Sequence, residues 1–278
     1  MVWSILHCKD KLMNIISNDY GIVKIDTNPS LDKTKEFATL IRSQVSKQTF
    51  KENKGRYANS MFHFGLRWGR RSGLLKPIKN TSFAGRSDYY GYDTLDQNGK
   101  PLPQIKTLQP IIDEIESHLG IDMSDYDSMI GNIYLDGEYV YPHRDTTESL
   151  SARKYPVIVY TIGNNASLGI WDNNKGLMTF ANTYDSTYAP DTLKGLNPTN
   201  EILTKNGTIY TFGLKGFGRF ELVHTTPSSN RKPLEFTKLL LPNGDVITKY
   251  TITLTFRRAQ DLTGNTPEEP KNNFAIFE

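Results

Sequence analysis

Apolar residues recur along this chain in two rhythms. Between Thr34 and Lys47, the residues Phe37, Leu40, Ile41 and Val45 fall on one helical face. A second helical rhythm runs through Leu108, Ile111, Ile112, Ile115 and Leu119. It starts near Pro103 and stops at Gly120, a natural C-terminal cap, and its opposite face is acidic at Asp113, Glu114 and Glu116. From Met129 onward the pattern is that of strands. Met129–Leu135, Tyr139–Pro142, Val157–Ile162, Ser167–Trp171, Thr208–Gly213, Arg219–Val223, Glu235–Leu241 and Val246–Phe256 are rich in β-branched and aromatic residues bounded by Gly, Asn or Pro. Asn243-Gly244 marks a hairpin turn. Tyr20–Ile25 reads as an edge strand, 51–100 as hairpins and loops, and 172–206 as a long loop or insertion. Residues 1–18 are a short helix or an arm, and the tail from Asp261 is expected to be mobile. This element order predicts a mainly β fold with an α/β N-terminal cap, a double-sheet jelly roll with flanking helices.

Composition narrows the class. The 278 residues suffice for one large domain with a sizeable core. The expected division is an N-terminal extension over 1–100, a jelly-roll core over 101–260 and a tail over 261–278. The 15 Tyr, 13 Phe, 21 Gly and 14 Pro suit strands joined by many turns. Cys8 is the single cysteine, which excludes an internal disulfide framework or a multi-cysteine zinc site and fits a reducing compartment. No stretch reads as a membrane span or a signal peptide. The expectation is a soluble intracellular protein of the cytoplasm or nucleus, monomeric and without a membrane partner.

A net charge of +3 hides an uneven distribution. No acid occurs between Glu52 and Asp88, whereas Lys54, Arg56, Arg67, Arg70, Arg71, Lys76, Lys79 and Arg86 do, interleaved with Tyr57, Phe62, Phe64, Trp68 and Phe83. A surface that tracks phosphates and stacks bases needs this mixture. Arg67, Trp68, Arg70, Arg71, Lys76, Lys79 and Arg86 are therefore the candidate nucleic-acid contacts. An ordinary solvated loop with basic residues is the competing reading.

Candidate chemistry centres on Tyr139-Val-Tyr-Pro-His143-Arg-Asp145. On a strand, residues two apart point to the same side, so His143 and Asp145 could reach one ion. Imidazole plus carboxylate supplies two thirds of the facial triad that leaves positions open on non-haem Fe(II). A surface His beside an acid is the plainer reading of the pair alone. Of the other four histidines, His7 lies in the N-terminal arm, His63 in the basic run and His118 near a helix end, where it complements the helix dipole. His224 closes the strand Arg219–His224, where it could face an earlier strand; a partly buried structural histidine is the alternative. The strand Tyr250-Thr-Ile-Thr-Leu-Thr-Phe-Arg257 places Thr251, Thr253, Thr255 and Arg257 on one face. Arg257 is a natural fork for a carboxylate, and Arg258 a surface cation. An iron site beside such an arginine suggests a 2-oxo acid cosubstrate.

Taken in order, Asn132-x-Tyr134-x-x-Gly137, His143-x-Asp145, His224 and Leu254-Thr-Phe-Arg257 resemble the AlkB-type branch of the Fe(II)/2-oxoglutarate dioxygenases. The resemblance spans about Tyr89 to Ala259 and takes in Tyr90-Gly-Tyr92, Leu102-Pro103, Pro156–Gly163 and Gly213–Arg219. It implies a double-stranded β-helix preceded by a nucleotide-recognition lid, with iron on His143, Asp145 and His224. It implies that Asn132, Tyr134 and Arg257 hold 2-oxoglutarate, and that O2 and 2-oxoglutarate are consumed as a C–H bond is hydroxylated. On an N-methyl base that chemistry ends in demethylation and DNA repair, on a flipped or single-stranded substrate. Two positions depart from the family pattern. Thr251 stands where a second arginine is usual, with Lys249 as a substitute cation. Thr147 stands where alkyl-base repair enzymes often carry an acid that helps read a damaged adenine or cytosine. Three functions follow: oxidation of a nucleic-acid base by demethylation or hydroxylation, the same chemistry on a protein side chain or small metabolite, or a nucleic-acid-binding module without activity.

Overall fold

A computed structural model of the chain describes residues 14–17, 22–44, 60–70, 90–93, 100–135, 155–171, 200–212, 223–225, 239–240, 246–247 and 249–258. The strands are β1 (Asn14–Ser17), β2 (Ile22–Asp26), β3 (Ser60–Gly65), β4 (Arg67–Arg70), β5 (Tyr90–Asp93), β6 (Ser128–Leu135), β7 (Val157–Gly163), β8 (Ala166–Trp171), β9 (Asn200–Thr204), β10 (Thr208–Phe212), β11 (Val223–Thr225), β12 (Leu239–Leu240), β13 (Val246–Ile247) and β14 (Tyr250–Arg257). Two helices, α1 (Leu31–Gln44) and α2 (Gln109–Leu119), accompany them. A seven-stranded antiparallel sheet has the order β1-β2-β10-β7-β14-β6-β3, and a smaller sheet has the order β11-β8-β9. The pairs β4-β5 and β12-β13 stand apart.

The helix boundaries described have local causes. The Ser30 hydroxyl accepts a bond from the Lys33 amide at 3.2 Å, so α1 begins three residues before the expected Thr34. A 3-10 turn, Ile105–Leu108, leads into α2, which has proline in its first turn and stops at Gly120 with φ 70°. Phe37, Ile41, Ile111, Ile115 and Leu119 then pack in one buried cluster with Ile133, Ile158, Tyr160, Ile162, Ile252, Leu254 and Phe256 of the large sheet. The other face of the same sheet meets the small sheet through Ile22, Val157, Val159, Tyr210 and Phe212 against Leu168, Ile170 and Ile202. β7 is covered on both sides and is buried along its whole length. The result is the jelly roll with flanking helices that the patterning predicts. Among the described residues no helix is long and apolar enough to cross a membrane.

Several expectations need correction. β2 is not an edge strand, because β1 pairs outside it. β9 lies within the stretch read as a loop: it alternates with Ile202 and Thr204 buried and Glu201 and Leu203 exposed, too short a signal to stand out. The expected strand Val246–Phe256 is two strands, since β13 pairs with β12 while β14 pairs with β6 and β7. Lys249, expected as a substitute cation on the face of Thr251, falls in the bend between them rather than on that strand face. The expected strand Tyr139–Pro142 and the tail from Asp261 lie outside the described residues.

Candidate active site

β14 organises the site. Its residues alternate between the two faces, and the packing of Tyr250, Ile252, Leu254 and Phe256 in the helix-side core fixes which set points inward. Thr251, Thr253, Thr255 and Arg257 therefore face the space between the sheets. The register builds rows across β6, β14 and β7: Tyr134–Thr251–Gly163, Asn132–Thr253–Thr161 and Ile130–Thr255–Val159. Ser128–Arg257 forms the last row. Directly opposed side chains in such rows stand about 5 Å apart at Cβ. Asn132, Tyr134 and Arg257, expected to hold one cosubstrate, thus share one face of one sheet.

His224 comes from the opposite sheet. It pairs in register with Ile170, which belongs to the inter-sheet core. The imidazole is 6% exposed and lies 4.7 Å, centroid to centroid, from the Phe212 ring, tilted by 37°. Phe212 is opposite Val157 on β7, and the neighbouring residue Ile158 is opposite Phe256 on β14. His224 therefore lies toward the end of the inner space at which Arg257 stands. Apolar neighbours on both sheets exclude water from the imidazole. The other two proposed ligands, His143 and Asp145, lie outside the described residues, and among the described residues no three His, Cys, Asp or Glu side chains form a metal cluster.

The beginning of β14 is fixed by a corner. Gly163 adopts φ 106°, and a side chain there would crowd the Tyr250 carbonyl, placed 2.6 Å from a would-be Cβ. Asn164 then clasps β14: its amide donates to the Tyr250 carbonyl at 2.8 Å and its side-chain oxygen accepts the Tyr250 amide at 2.9 Å. The Thr251 hydroxyl donates to the Asn164 carbonyl at 2.9 Å. At the other end Arg258 turns away and pairs with Asp127 at 2.9 Å, also donating to the Asp125 carbonyl at 2.8 Å. Tyr155 donates to Asp125 at 3.1 Å, and burial with that bond pushes its phenol up to about 12. Arg258 is therefore a structural cation rather than a free surface one.

Two inward residues were not singled out in the sequence. His63 lies on β3 opposite Ile130, and its neighbours Phe62 and Phe64 enter the helix-side core, so its ring faces the inner side. Thr161 is fully buried in the row of Asn132 and Thr253, and its hydroxyl makes no hydrogen bond among the described residues. The signal for Thr161 was a hydroxyl in the middle of an apolar run, Val157–Ile162. Of the proposed nucleic-acid contacts, Arg67, Trp68 and Arg70 form β4, which pairs with β5 so that Trp68 is opposite Tyr92 and Arg70 opposite Tyr90. Arg71, Lys76, Lys79 and Arg86 lie outside the described residues. Only Leu66 separates β3 from β4, and it is tied to the Arg257 end of the sheet: its amide donates to the Asp127 carbonyl at 2.9 Å and its carbonyl accepts the Ser128 hydroxyl at 2.7 Å. The basic hairpin thus departs beside the end of the site where His224 and Arg257 stand.

No protein-family model and no curated protein sequence matches the chain. Among solved structures it is similar to the AlkB homologue OsALKBH1, with a TM-score of 0.54 and 15% identity over 88% of this chain and 99% of that one. A Pseudomonas putida prolyl-4-hydroxylase aligns with a TM-score of 0.41 and 9% identity over 87% of this chain and 94% of that one. The viral collagen prolyl hydroxylase vCPH from Paramecium Bursaria Chlorella virus-1, solved as a 2OG complex, aligns with a TM-score of 0.39 and 13% identity over 89% of this chain and 100% of that one. The chain thus shares its double-stranded β-helix (jelly-roll) fold with OsALKBH1, the fold that the sequence pattern predicts.

Proposed function

We propose that this chain is an Fe(II)/2-oxoglutarate-dependent dioxygenase of the AlkB type that oxidises a C–H bond on a nucleic-acid base, by demethylation or by hydroxylation. The observation that carries this reading is the convergence of His224, Asn132, Tyr134 and Arg257 on the space between two sheets. The donor set suits the implied group: an imidazole for the metal, and a guanidinium, an amide and a phenol for an oxo diacid. His143 and Asp145 would complete the metal set. When bound, iron and 2-oxoglutarate supply the oxidising power to use O2 on an unreactive C–H bond. The chain's own residues have the other tasks. Arg257 grips a carboxylate in a two-pronged fork. Asn132 and Tyr134 orient the same molecule. Phe212, Val157 and Ile170 keep water from the imidazole of His224. The hairpin with Arg67, Trp68 and Arg70 supplies charge and aromatic residues for a nucleic-acid strand beside the Arg257 end. The lack of an acid at Thr147 favours a base other than the damaged adenine or cytosine of alkyl-base repair.

Incubation of the protein with Fe(II), 2-oxoglutarate, O2 and a panel of methylated and unmodified oligonucleotides tests this. Succinate should form, with a mass change of about −14 or +16 Da on one oligonucleotide class, the mass of a methylene or an oxygen atom. His224→Ala should abolish both and leave oligonucleotide binding intact. Succinate without any oligonucleotide product would move the activity to a protein side chain or small metabolite. Absence of succinate under every condition would leave a binding module.

A further inference from the structure

We infer that the Thr161 hydroxyl, rather than a second guanidinium, receives the distal carboxylate of the cosubstrate in this chain; the inference rests on the dioxygenase reading. Thr161 is 0% exposed, and its hydroxyl meets no hydrogen-bond partner among the described residues. A hydroxyl left unmet in the interior is destabilising, so such a group calls for a polar guest. The guest's position follows from the register. Thr161 shares its row with Asn132 through Thr253. Along β14 that row is four residues from Arg257, about 13 Å at strand rise. The long Arg257 side chain and a five-carbon diacid fill that span between them, with the 2-oxo end toward His224. The alternatives for the distal end are otherwise engaged. Thr251, where a second arginine would stand, is 0% exposed and spends its hydroxyl proton on the Asn164 carbonyl. Lys249 lies in the bend before the strand rather than on its inner face. A hydroxyl is a weaker carboxylate partner than a guanidinium fork, so this pocket holds the distal end of its diacid by hydrogen bonds from Thr161 and Tyr134 rather than by charge.

The test is calorimetric titration of 2-oxoglutarate, and separately of oxalate, into the full chain loaded with Mn(II) in place of iron. Oxalate chelates the metal but carries no distal carboxylate. Thr161→Val should weaken 2-oxoglutarate binding by roughly 10- to 100-fold. Oxalate binding should stay within about twofold and the melting temperature should not fall, since the removed hydroxyl has no partner to lose. Thr161→Ser, which restores the hydroxyl, should bind 2-oxoglutarate within a few-fold of wild type. Unchanged 2-oxoglutarate affinity in Thr161→Val overturns the inference and leaves the dioxygenase reading standing. Equal loss of both ligands also overturns it, by marking a structural role. If wild type binds oxalate but not 2-oxoglutarate, the cosubstrate reading falls and the Thr161 assignment with it.

Discussion

The two faces of the large sheet are made from alternate residues of the same strands and differ in kind. On the helix side β14 presents Tyr250, Ile252, Leu254 and Phe256, all 0% exposed and packed in one core with α1 and α2. On the inner side it presents Thr251, Thr253, Thr255 and Arg257, beside Asn132 and Tyr134 of β6. The helix side is closed mainly by apolar contact, with Asn206 bridging the Thr34 hydroxyl of α1 to the Gly163 amide of β7. The inner side is oily only where the small sheet covers β2, β7 and β10. Over β6 and β14 it carries hydroxyls, an amide and a guanidinium. Strand alternation thus lets one set of residues hold the sheet flat while the other does chemistry, and a change on one face should leave the other nearly untouched.

The strongest way to break this division is Leu254→Ala. It removes a fully buried side chain from the helix-side core and should cost about 2–5 kcal/mol of unfolding free energy. Its neighbour Thr255, half-buried on the inner side, should tolerate alanine for under about 1 kcal/mol. Urea denaturation of both variants measures the contrast. Equal losses would mean that the two faces are not energetically separate.

Next in size is Arg257→Lys. The charge survives, but the planar fork does not. Binding of 2-oxoglutarate to the Mn(II)-loaded protein should weaken by roughly 10- to 100-fold, equivalent to about 1.4–2.8 kcal/mol. The urea midpoint should barely move. A large stability loss with intact affinity would place Arg257 among the structural residues, alongside Arg258.

The division itself was legible in the sequence, because Tyr250–Arg257 alternates without interruption. So were both helices and the αL stop at Gly120. The start of α1 was not, because the Ser30 cap precedes the first strongly apolar face residue. Nor was the register. β14 sits between β6 and β7, so Thr161 meets Asn132 only through Thr253, by pairings that join residues 92 (253 − 161) and 121 (253 − 132) apart in the chain. Local pattern cannot supply such a row. The same holds for Thr251: its identity was visible, but the carbonyl that takes its proton belongs to a corner 87 residues away. For the candidate site, residue types and strand faces were readable and mutual placement was not.

The smallest effect concerns a polar group on the inner face that serves stability rather than chemistry. Asp26 ends β2 opposite Thr208 of β10, whose neighbour but one, Tyr210, lies in the inter-sheet core. Burial works to raise the Asp26 carboxyl, but the Thr208 hydroxyl at 2.7 Å and the ammonium groups of Lys24 at 3.3 Å and Lys205 at 3.5 Å hold it below its usual value. A carboxyl lowered in the folded state contributes stability above its unfolded pKa, about 3.9, and loses it as pH falls through the folded value. Wild type should therefore exceed Asp26→Asn in stability near neutral pH, by under about 1 kcal/mol for a partly exposed ion pair. The gap should close as pH drops below about 4 and shrink with added salt. Urea midpoints of the two proteins from pH 7 down to 3 decide the matter. A gap that persists at the acid end would show that Asp26 acts through its shape and hydrogen bond, not its charge, and the inner face would then hold no electrostatic contribution to folding at this edge.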